Sequence, residues 1–294
     1  MRTFDYFKPV CVEEALFLLN KFADKSKLVA GGTDVMVQWK KRIISPVALI
    51  SLRNIPELNF IRMNDCLEIG SATTHRSLEL SADIKSKFPA IYDAVSNIGS
   101  VQVRNSATIG GNLCNAAPSA DSAPPMLVLD TGVNIVSSDG QRSIPIDQFF
   151  KGPGKTVVQP NEVVKSFSIA TPPENTGMAY WKHTRRSAMD LPILGVAVLL
   201  SFDEDIKTCV KARIGLSVVA PTPIRARKAE EFLLGNVVNE ASLDEAGKIA
   251  ASECSPRTTI RGSDWYRREM ARVLVKRVGL ISTERASHFS KLES

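Results

Sequence analysis

The residues of this chain best suited to chemistry are two glycine pairs, each set among small polar side chains. The first, Gly31-Gly32 in "KLVAGGTDVMVQW", is followed by Thr33 and Asp34. The second, Gly110-Gly111 in "NSATIGGNLCNAAPSAD", lies between Thr108-Ile109 and Asn112, with a lone acid, Asp121, nine residues beyond that asparagine. Each pair can be an ordinary tight turn. The other reading is a nest: consecutive glycines present successive backbone N–H groups with no Cβ in the way, a concavity that cradles phosphate oxygens. Thr33 and Thr108 add hydroxyls, and Asp34 opens a helical stretch whose N-terminus favours an anion. Two such loops suit the two phosphates of one pyrophosphate, whereas a mononucleotide has little use for both.

Other chemistries find less support. Of the three histidines, His288 falls in an apparent tail, and His75, just past a strand end, reads as a surface or capping residue. With His183 alone left, there is no nucleophile triad. "GPGKT" at Gly152 suggests a phosphate loop, but the glycine that motif requires at position 149 is Phe149, and a β-like run follows where a helix should start. It reads instead as a Gly/Pro loop between strands. No G-x-G-x-x-G occurs. The cysteines at 11, 66, 114, 209 and 254 form no C-x-x-C pair, so neither a zinc site nor an iron–sulfur cluster is expected within this chain. An odd, scattered set fits a reducing, intracellular setting.

The elements that must position the glycine loops can be read from periodicity. "CVEEALFLLNKF" and "DVMVQWKKR" have helical spacing, "KLVA" and "VALISLRNI" read as strands, and together they predict a compact αβαβ unit over about residues 1–56. From Leu58, "LNFIRMNDCLEIGSATT" predicts two strands around an Asn-Asp turn. A helical stretch follows, with Pro89 as an internal start. "PPMLVLDTGVNIVSSDGQRSIPIDQFF" predicts strands joined by Thr-Gly and Asp-Gly turns, and "EVVKSFSIATPP" adds one more. Pro172-Pro173 marks a linker. Beyond it, "GMAYWKHTRR", "ILGVAVLLSFDED" and "TCVKARIGLSVVA" predict a three-stranded antiparallel meander, followed by three helices, the last opened by Ser263. The expectation is an α+β chain: residues 1–175 as one domain with subdomains over about 1–56 and 57–175, residues 176–282 as a second domain, and 283–294 as a frayed tail.

Composition agrees with this plan. A chain of 294 residues, 44% hydrophobic and 23% charged, is an ordinary soluble globular protein with room for two domains. "MRTFDYFKPV" has no apolar run of the signal-peptide kind, and "LPILGVAVLLSF" is too short to span a membrane. The expected location is the cytoplasm. The net charge of +6 is local: nine Lys and Arg residues but only four acids lie after residue 256. No aromatic platform or helix-turn-helix pattern accompanies it, so nucleic acid is not favoured. Arg257, Arg261, Arg267, Arg268 and Arg272 then read either as a solvated helix face or as contacts to a partner chain.

Three ordered motifs, "LVAGGTDVMVQ", "QVRNSATIGGNLCNAAPSADSAPPMLVLD" and "AYWKHTRRSAMDLPILGVAV", resemble the FAD-binding subunit of the molybdenum hydroxylases, the xanthine and carbon monoxide dehydrogenase family. The resemblance runs from Phe4 to about Leu280. It implies a flavin domain of the p-cresol methylhydroxylase type. Carried over residue by residue, the first pyrophosphate loop falls on Leu28, Val29, Ala30, Gly31, Gly32, Thr33, Asp34 and Val35, and the second on Thr108, Ile109, Gly110, Gly111 and Asn112. Asp121 matches an acid near the adenosine part of FAD, and Ile98 and Val164 match apolar positions that wall the cofactor. Lys182 matches a lysine of the flavin region, and Tyr180 an aromatic position beside the isoalloxazine. Details such as "GPGK" and "VVAPTPIRARKAE" look most like bacterial xanthine dehydrogenase flavin subunits.

The same resemblance implies that molybdopterin and two-iron clusters reside on partner subunits. An inserted four-cysteine segment, found in relatives that reduce aromatic acyl-CoA, is missing here. FAD would then link one-electron delivery from the clusters to two-electron reduction of an acceptor such as NAD, with no acid or base required of this chain. Three alternatives stay open: a flavin subunit of another molybdenum hydroxylase acting on carbon monoxide, an aldehyde or an N-heterocycle; a stand-alone flavin oxidase of the same fold, for which only His183 and Asp190 offer an acid or base; and a scaffold that has lost FAD.

Overall fold

The computed structural model describes residues 3–292, with side chains described through Ser287. Short apolar runs alternating with amphipathic ones build the first lobe: strand β1 (Asp5–Phe7), helix α1 (Val12–Phe22), strand β2 (Ser26–Val29), helix α2 (Val35–Lys40) and strand β3 (Ala48–Ser51). The strands are parallel in the order β1-β3-β2, so the expected αβαβ unit gains a strand at its start. Val12, Ala15, Leu16 and Leu19 recur at helical spacing and share a core with Ile50 and Leu52. β2 ends at Val29, and residues 30–34 lead directly into α2. The first glycine pair thus occupies a strand-to-helix turn.

The second lobe runs through β4 (Ile61–Met63), β5 (Cys66–Gly70), α3 (His75–Leu80), α4 (Ala82–Lys87), α5 (Pro89–Ser96), α6 (Val101–Arg104), α7 (Ile109–Cys114), α8 (Ala123–Val128), β6 (Gly132–Ser137), β7 (Gly140–Pro145), β8 (Phe150–Gly152), β9 (Lys155–Thr156) and β10 (Val163–Ala170). β4, β5, β10, β6 and β7 form one antiparallel sheet in that order. Pro89 starts α5, as its position suggests, because a missing N–H costs nothing in a first helical turn. "GPGK" makes the β8–β9 hairpin. "PPMLV" differs from expectation: it is the helix α8, with all six residues buried. An apolar run buried on every side has no period to read, and Pro124-Pro125 at its start decides for a helix.

The third unit comprises β11 (Thr176–His183), β12 (Leu194–Phe202), β13 (Cys209–Ser217), β14 (Ile224–Arg225), α9 (Arg227–Leu233), α10 (Glu240–Glu253) and α11 (Asp264–Leu292). The expected three-stranded meander carries a fourth strand, the two-residue β14 on the edge of β13. Asn239 caps α10 in a reciprocal box with Ser242, and Ser263 Oγ accepts from the Tyr266 amide at the start of α11. The tail expected from residue 283 is instead a continuation of α11. Ser282 and Ala286 are buried, Ser282 Oγ donates to the Val198 carbonyl at 2.9 Å, and Arg285 reaches Asp93 in the second lobe. The side chain of His288 lies outside the described residues.

His75 also differs from expectation, for it is fully buried. Thr74 takes the capping role, accepting from the Ser77 amide, so the imidazole beside it turns inward. Neither ring nitrogen has a partner. Burial, helped by the nearby Arg104 charge, pushes its pKa from 6.5 down to about 3. Between those values the unfolded chain binds a proton that the native chain does not. Stability is therefore complete above pH 6.5 and falls by about 1.4 kcal/mol per pH unit below it, until the native ring titrates. Urea unfolding at pH 6.5 and 5 should show a loss from this residue of about 2 kcal/mol, absent in His75→Leu. An unchanged slope in that variant would refute the assignment.

Candidate cofactor-binding site

The two glycine loops meet. A Cβ on Gly31 would stand 2.0 Å from the Ser106 carbonyl oxygen and 2.8 Å from the Ala107 Cα, so this residue is glycine because the second loop's approach leaves no room for more. Gly110 is equally constrained by Ser71, whose carbonyl oxygen lies 2.5 Å from the same virtual position. Gly32 has φ 73°, a left-handed conformation that L side chains resist. Gly111 differs from the others: apart from Thr108 Oγ1 at 2.9 Å, only the Ala30 Cβ comes within 4 Å of its virtual Cβ, at 3.9 Å. Its surroundings otherwise stay open.

The donors divide unequally between the loops. In the second, Ile109 N–H donates to Thr73 O, Gly110 N–H to Ser71 O, Asn112 N–H to Thr108 O, and Gly111 N–H to Thr108 Oγ1 at 3.0 Å. In the first, no intrachain acceptor is seen for the N–H groups of Gly31, Gly32, Thr33 and Asp34 among the described residues. The free amides are thus concentrated in one loop rather than shared by both. What the second loop retains are side-chain donors. The Thr108 hydroxyl accepts from Gly111 and keeps its proton to give, and Asn112, whose Oδ1 accepts from Ser122 Oγ at 2.6 Å, keeps its amide hydrogens.

Asp121, nine residues beyond the second loop, belongs to a buried charge cluster. Asp121 accepts from Lys182 Nζ at 2.9 Å and from Tyr180 OH at 2.8 Å, and Lys182 also donates to the Asn97 carbonyl. Burial pushes the Asp121 carboxyl up, Lys182 and Tyr180 pull it back, and the Tyr180 phenol is raised far above its usual range. The resemblance assigns Asp121 to the adenosine end and the other two to the flavin ring. The structure joins all three at one point. Ile98 is buried, with its carbonyl held by Arg104. Val164 lies at the bulge of β10, in the core that contains Ile109 and Leu113.

Sequence reasoning missed several braces. Gln38 of α2 donates to Asn115 Oδ1 at 3.2 Å, Gly154 of the hairpin donates to Ala116 O, and Val218 donates to Pro118 O. The segment between Asn112 and Asp121 is thereby held by every part of the chain. Residue spacing signals none of these contacts. Conversely, His183 and Asp190 stand apart from the cluster. Alternation along β11 sends Tyr180 and Lys182 to one face, while His183 on the other pairs with Tyr266 OH at 3.0 Å; Asp190 is engaged by Arg186 and the Leu191 amide. The basic segment is corrected in part. Arg267 is buried, with its guanidinium on the carbonyls of Ile193 and Arg257; Arg268 donates to Cys254 O, and Arg272 pairs with Asp244 and Glu269. These three are internal braces rather than a free docking face.

Comparison with known proteins gives the arrangement its family. Residues 2–172 match the FAD binding domain in molybdopterin dehydrogenase, and residues 179–280 match the CO dehydrogenase flavoprotein C-terminal domain. The chain is an FAD-binding subunit of the molybdenum hydroxylase family. It is 35% identical over 265 residues to a xanthine dehydrogenase FAD-binding subunit of Escherichia coli, covering 88% of this chain and 90% of that one. A carbon monoxide dehydrogenase medium chain of Afipia carboxidovorans is 32% identical, with 94% and 95% covered. The solved carbon monoxide dehydrogenase of Hydrogenophaga pseudoflava superposes with a TM-score of 0.92 at 32% identity, over 96% of this chain and 98% of that one.

The residues present fit FAD. Free amides, a hydroxyl and a carboxamide form a donor-rich cradle for a pyrophosphate, and the open face at Gly111 leaves space that a side chain would fill. Gly111→Val should therefore give a folded chain that purifies without FAD; retention of stoichiometric FAD, read from its absorption, would remove this loop from the site. Gly31→Ala should instead lower the melting temperature of the FAD-free chain, because its Cβ meets backbone. Asp121→Asn leaves Lys182 buried without its counter-charge and should cost about 3–5 kcal/mol in denaturant titration. Adding Lys182→Met should recover part of that loss.

Proposed function

We propose that this chain is the flavin subunit of a xanthine dehydrogenase-like complex in the cytoplasm. In this reading it takes electrons from the iron–sulfur clusters of one partner, which draws them from a molybdopterin partner, and delivers them to NAD. The 35% identity to a xanthine dehydrogenase FAD-binding subunit carries the substrate assignment. Five unpaired cysteines favour a reducing compartment. Among the described residues, no helix is long and apolar enough to cross a membrane.

When bound, FAD exchanges single electrons with clusters and pairs of electrons with the acceptor. The chain's own groups position it. The amides of Gly31 to Asp34 would donate to phosphate oxygens, together with the Thr108 hydroxyl and the Asn112 carboxamide of the facing loop. Lys182 is neutralised by Asp121, so the pair acts as a fixed brace rather than a proton source. Asp121, the carboxylate bonded to Tyr180 and Lys182, is held in an ion pair, and His183 lies on the opposite face of β11, which favours electron transfer over oxidation of a substrate at the flavin.

The complex assembled with its own partners should convert xanthine with stoichiometric NADH formation. Stripping FAD should abolish NAD reduction while electrons still reach an artificial acceptor from the partner clusters. The FAD-loaded chain alone should leave xanthine untouched; turnover there would favour a stand-alone oxidase. A complex inert to xanthine but active on carbon monoxide or an aldehyde would move the chain elsewhere in the family, a second reading favoured by the TM-score of 0.92 to carbon monoxide dehydrogenase.

A further inference from the structure

On the face of β11 turned away from Asp121 lies a recess of about 590 Å³, lined in part by His183, Arg185, Ile193, Arg261, Trp265 and Tyr266. Reciprocal backbone hydrogen bonds between Thr259 and Gly262 form a tight turn with Ile260 and Arg261 at its tip. Two guanidiniums hold that turn. Arg185 donates to the carbonyls of Ile260 and Arg261 at 3.2 and 3.1 Å, and Arg267 donates to Thr259 Oγ1 at 2.7 Å. Yet Ile260 is 89% exposed and Trp265 is 69% exposed. A single exposed apolar side chain is ordinary; an isoleucine on a braced turn with a tryptophan at the adjoining recess is the composition of a contact surface.

Charge is the second observation. Among the described residues, no carboxylate pairs with Arg185, Arg257, Arg261 or Arg267. Arg267 is only 1% exposed, and its guanidinium has carbonyl and hydroxyl partners alone. Beyond burial, the charges of Arg261 and Arg257 further lower its proton affinity. The Arg261 Nε is buried and bonded to nothing. Guanidiniums gathered without a counter-charge are completed by a carboxylate, whose hydrogen bonds to them are the strong, charge-assisted kind.

We propose that this rim docks the iron–sulfur partner chain, with an acidic side chain of that partner entering the recess against Arg261 and its apolar side chains covering Ile260 and Trp265. The proposal rests on the reading of this chain as the flavin subunit of such a complex. The electron donor must stand close to the flavin, and the recess begins at His183, next in sequence to the Lys182 that braces the cofactor site. A donor chain seated here adjoins that site while leaving the cofactor face of β11 free.

The test uses the full chain, tagged and co-expressed with its own iron–sulfur and molybdopterin partners. Among the described residues the Arg261 guanidinium donates no hydrogen bond, so Arg261→Glu removes none there, and it should cut recovery of the iron–sulfur partner about tenfold. The paired change Ile260→Ser with Trp265→Ser should do likewise, and the loss in Arg261→Glu should deepen with salt. FAD per chain should stay at the wild-type level, and Lys151→Glu on the β8–β9 hairpin should assemble normally. If both recess variants recover the partner as wild type does, the docking surface is refuted while the functional reading stands. If the wild-type chain itself carries no FAD, or recruits no iron–sulfur chain, the functional reading fails first. Saturable binding of inorganic phosphate in the recess, with assembly unaffected by Arg261→Glu, would assign the site to a free anion and overturn the proposal.

Discussion

Everything at the cofactor site depends on two backbones being allowed to touch. Gly31 lies so close to Ser106 and Ala107 that a methyl group there would overlap the Ser106 carbonyl, and Gly110 rests in the same way on Ser71. The first contact binds the parallel lobe to the second loop, and the second binds that loop to the antiparallel sheet. Ala30 is thereby brought to the edge of the open space at Gly111. Half of the glycines that suggest phosphate binding are therefore glycine for the protein's own packing. Gly32 and Gly111 are the two left to shape and leave room for a ligand, one through its left-handed φ and the other through the space beside it.

Charge distribution closes the third unit over the second lobe. Asp93, Asp121, Asp130 and Asp147 all precede the linker, and they pair with Arg285, Lys182, Arg225 and Arg227, which all follow it. Among the described residues no ion pair crosses in the opposite sense. The most buried of the four, Asp121 with Lys182, joins the second-loop segment to β11. Removing one partner of such a pair costs far more than the pair contributes, because the survivor is left desolvated. The arrangement therefore fixes a single docking orientation more firmly than it adds stability.

Much of this was legible in the sequence, for identifiable reasons. The glycine loops could be found because glycine pairs beside threonine and asparagine are scarce and local, and the helix cap at Ser263 is local too. The Asp121–Lys182 pair was not legible as a pair, since 61 residues separate its members and only tertiary folding joins them. His75 misled because a strand end suggests the surface, while the neighbouring Thr74 had already taken the capping role. Arg267, Arg268 and Arg272 misled because a count of charges sees the side chain but not the carbonyls and carboxylates that receive it. The polar run after residue 283 looked like a tail although Ser282 and Ala286, being small, let α11 lie against the sheet.

These assignments separate two kinds of recognition within one chain. At the glycine loops the available donors are neutral: backbone amides, a hydroxyl and a carboxamide, with the nearby lysine cancelled by Asp121. Neutral dipoles held rigidly recognise a pyrophosphate by where its oxygens lie, and fixed short-range contacts of this kind are little affected by salt. At the recess beyond His183 the reverse holds. Among the described residues, Arg185 and Arg261 have no carboxylate partner, and they lie close to the surface, where attraction is long-ranged and screened. Fixed geometry suits a cofactor that must remain through many turnovers, whereas a field suits the partner chain proposed for the recess. The same β11 borders both, with Tyr180 and Lys182 turned to the Asp121 cluster and His183 to the recess.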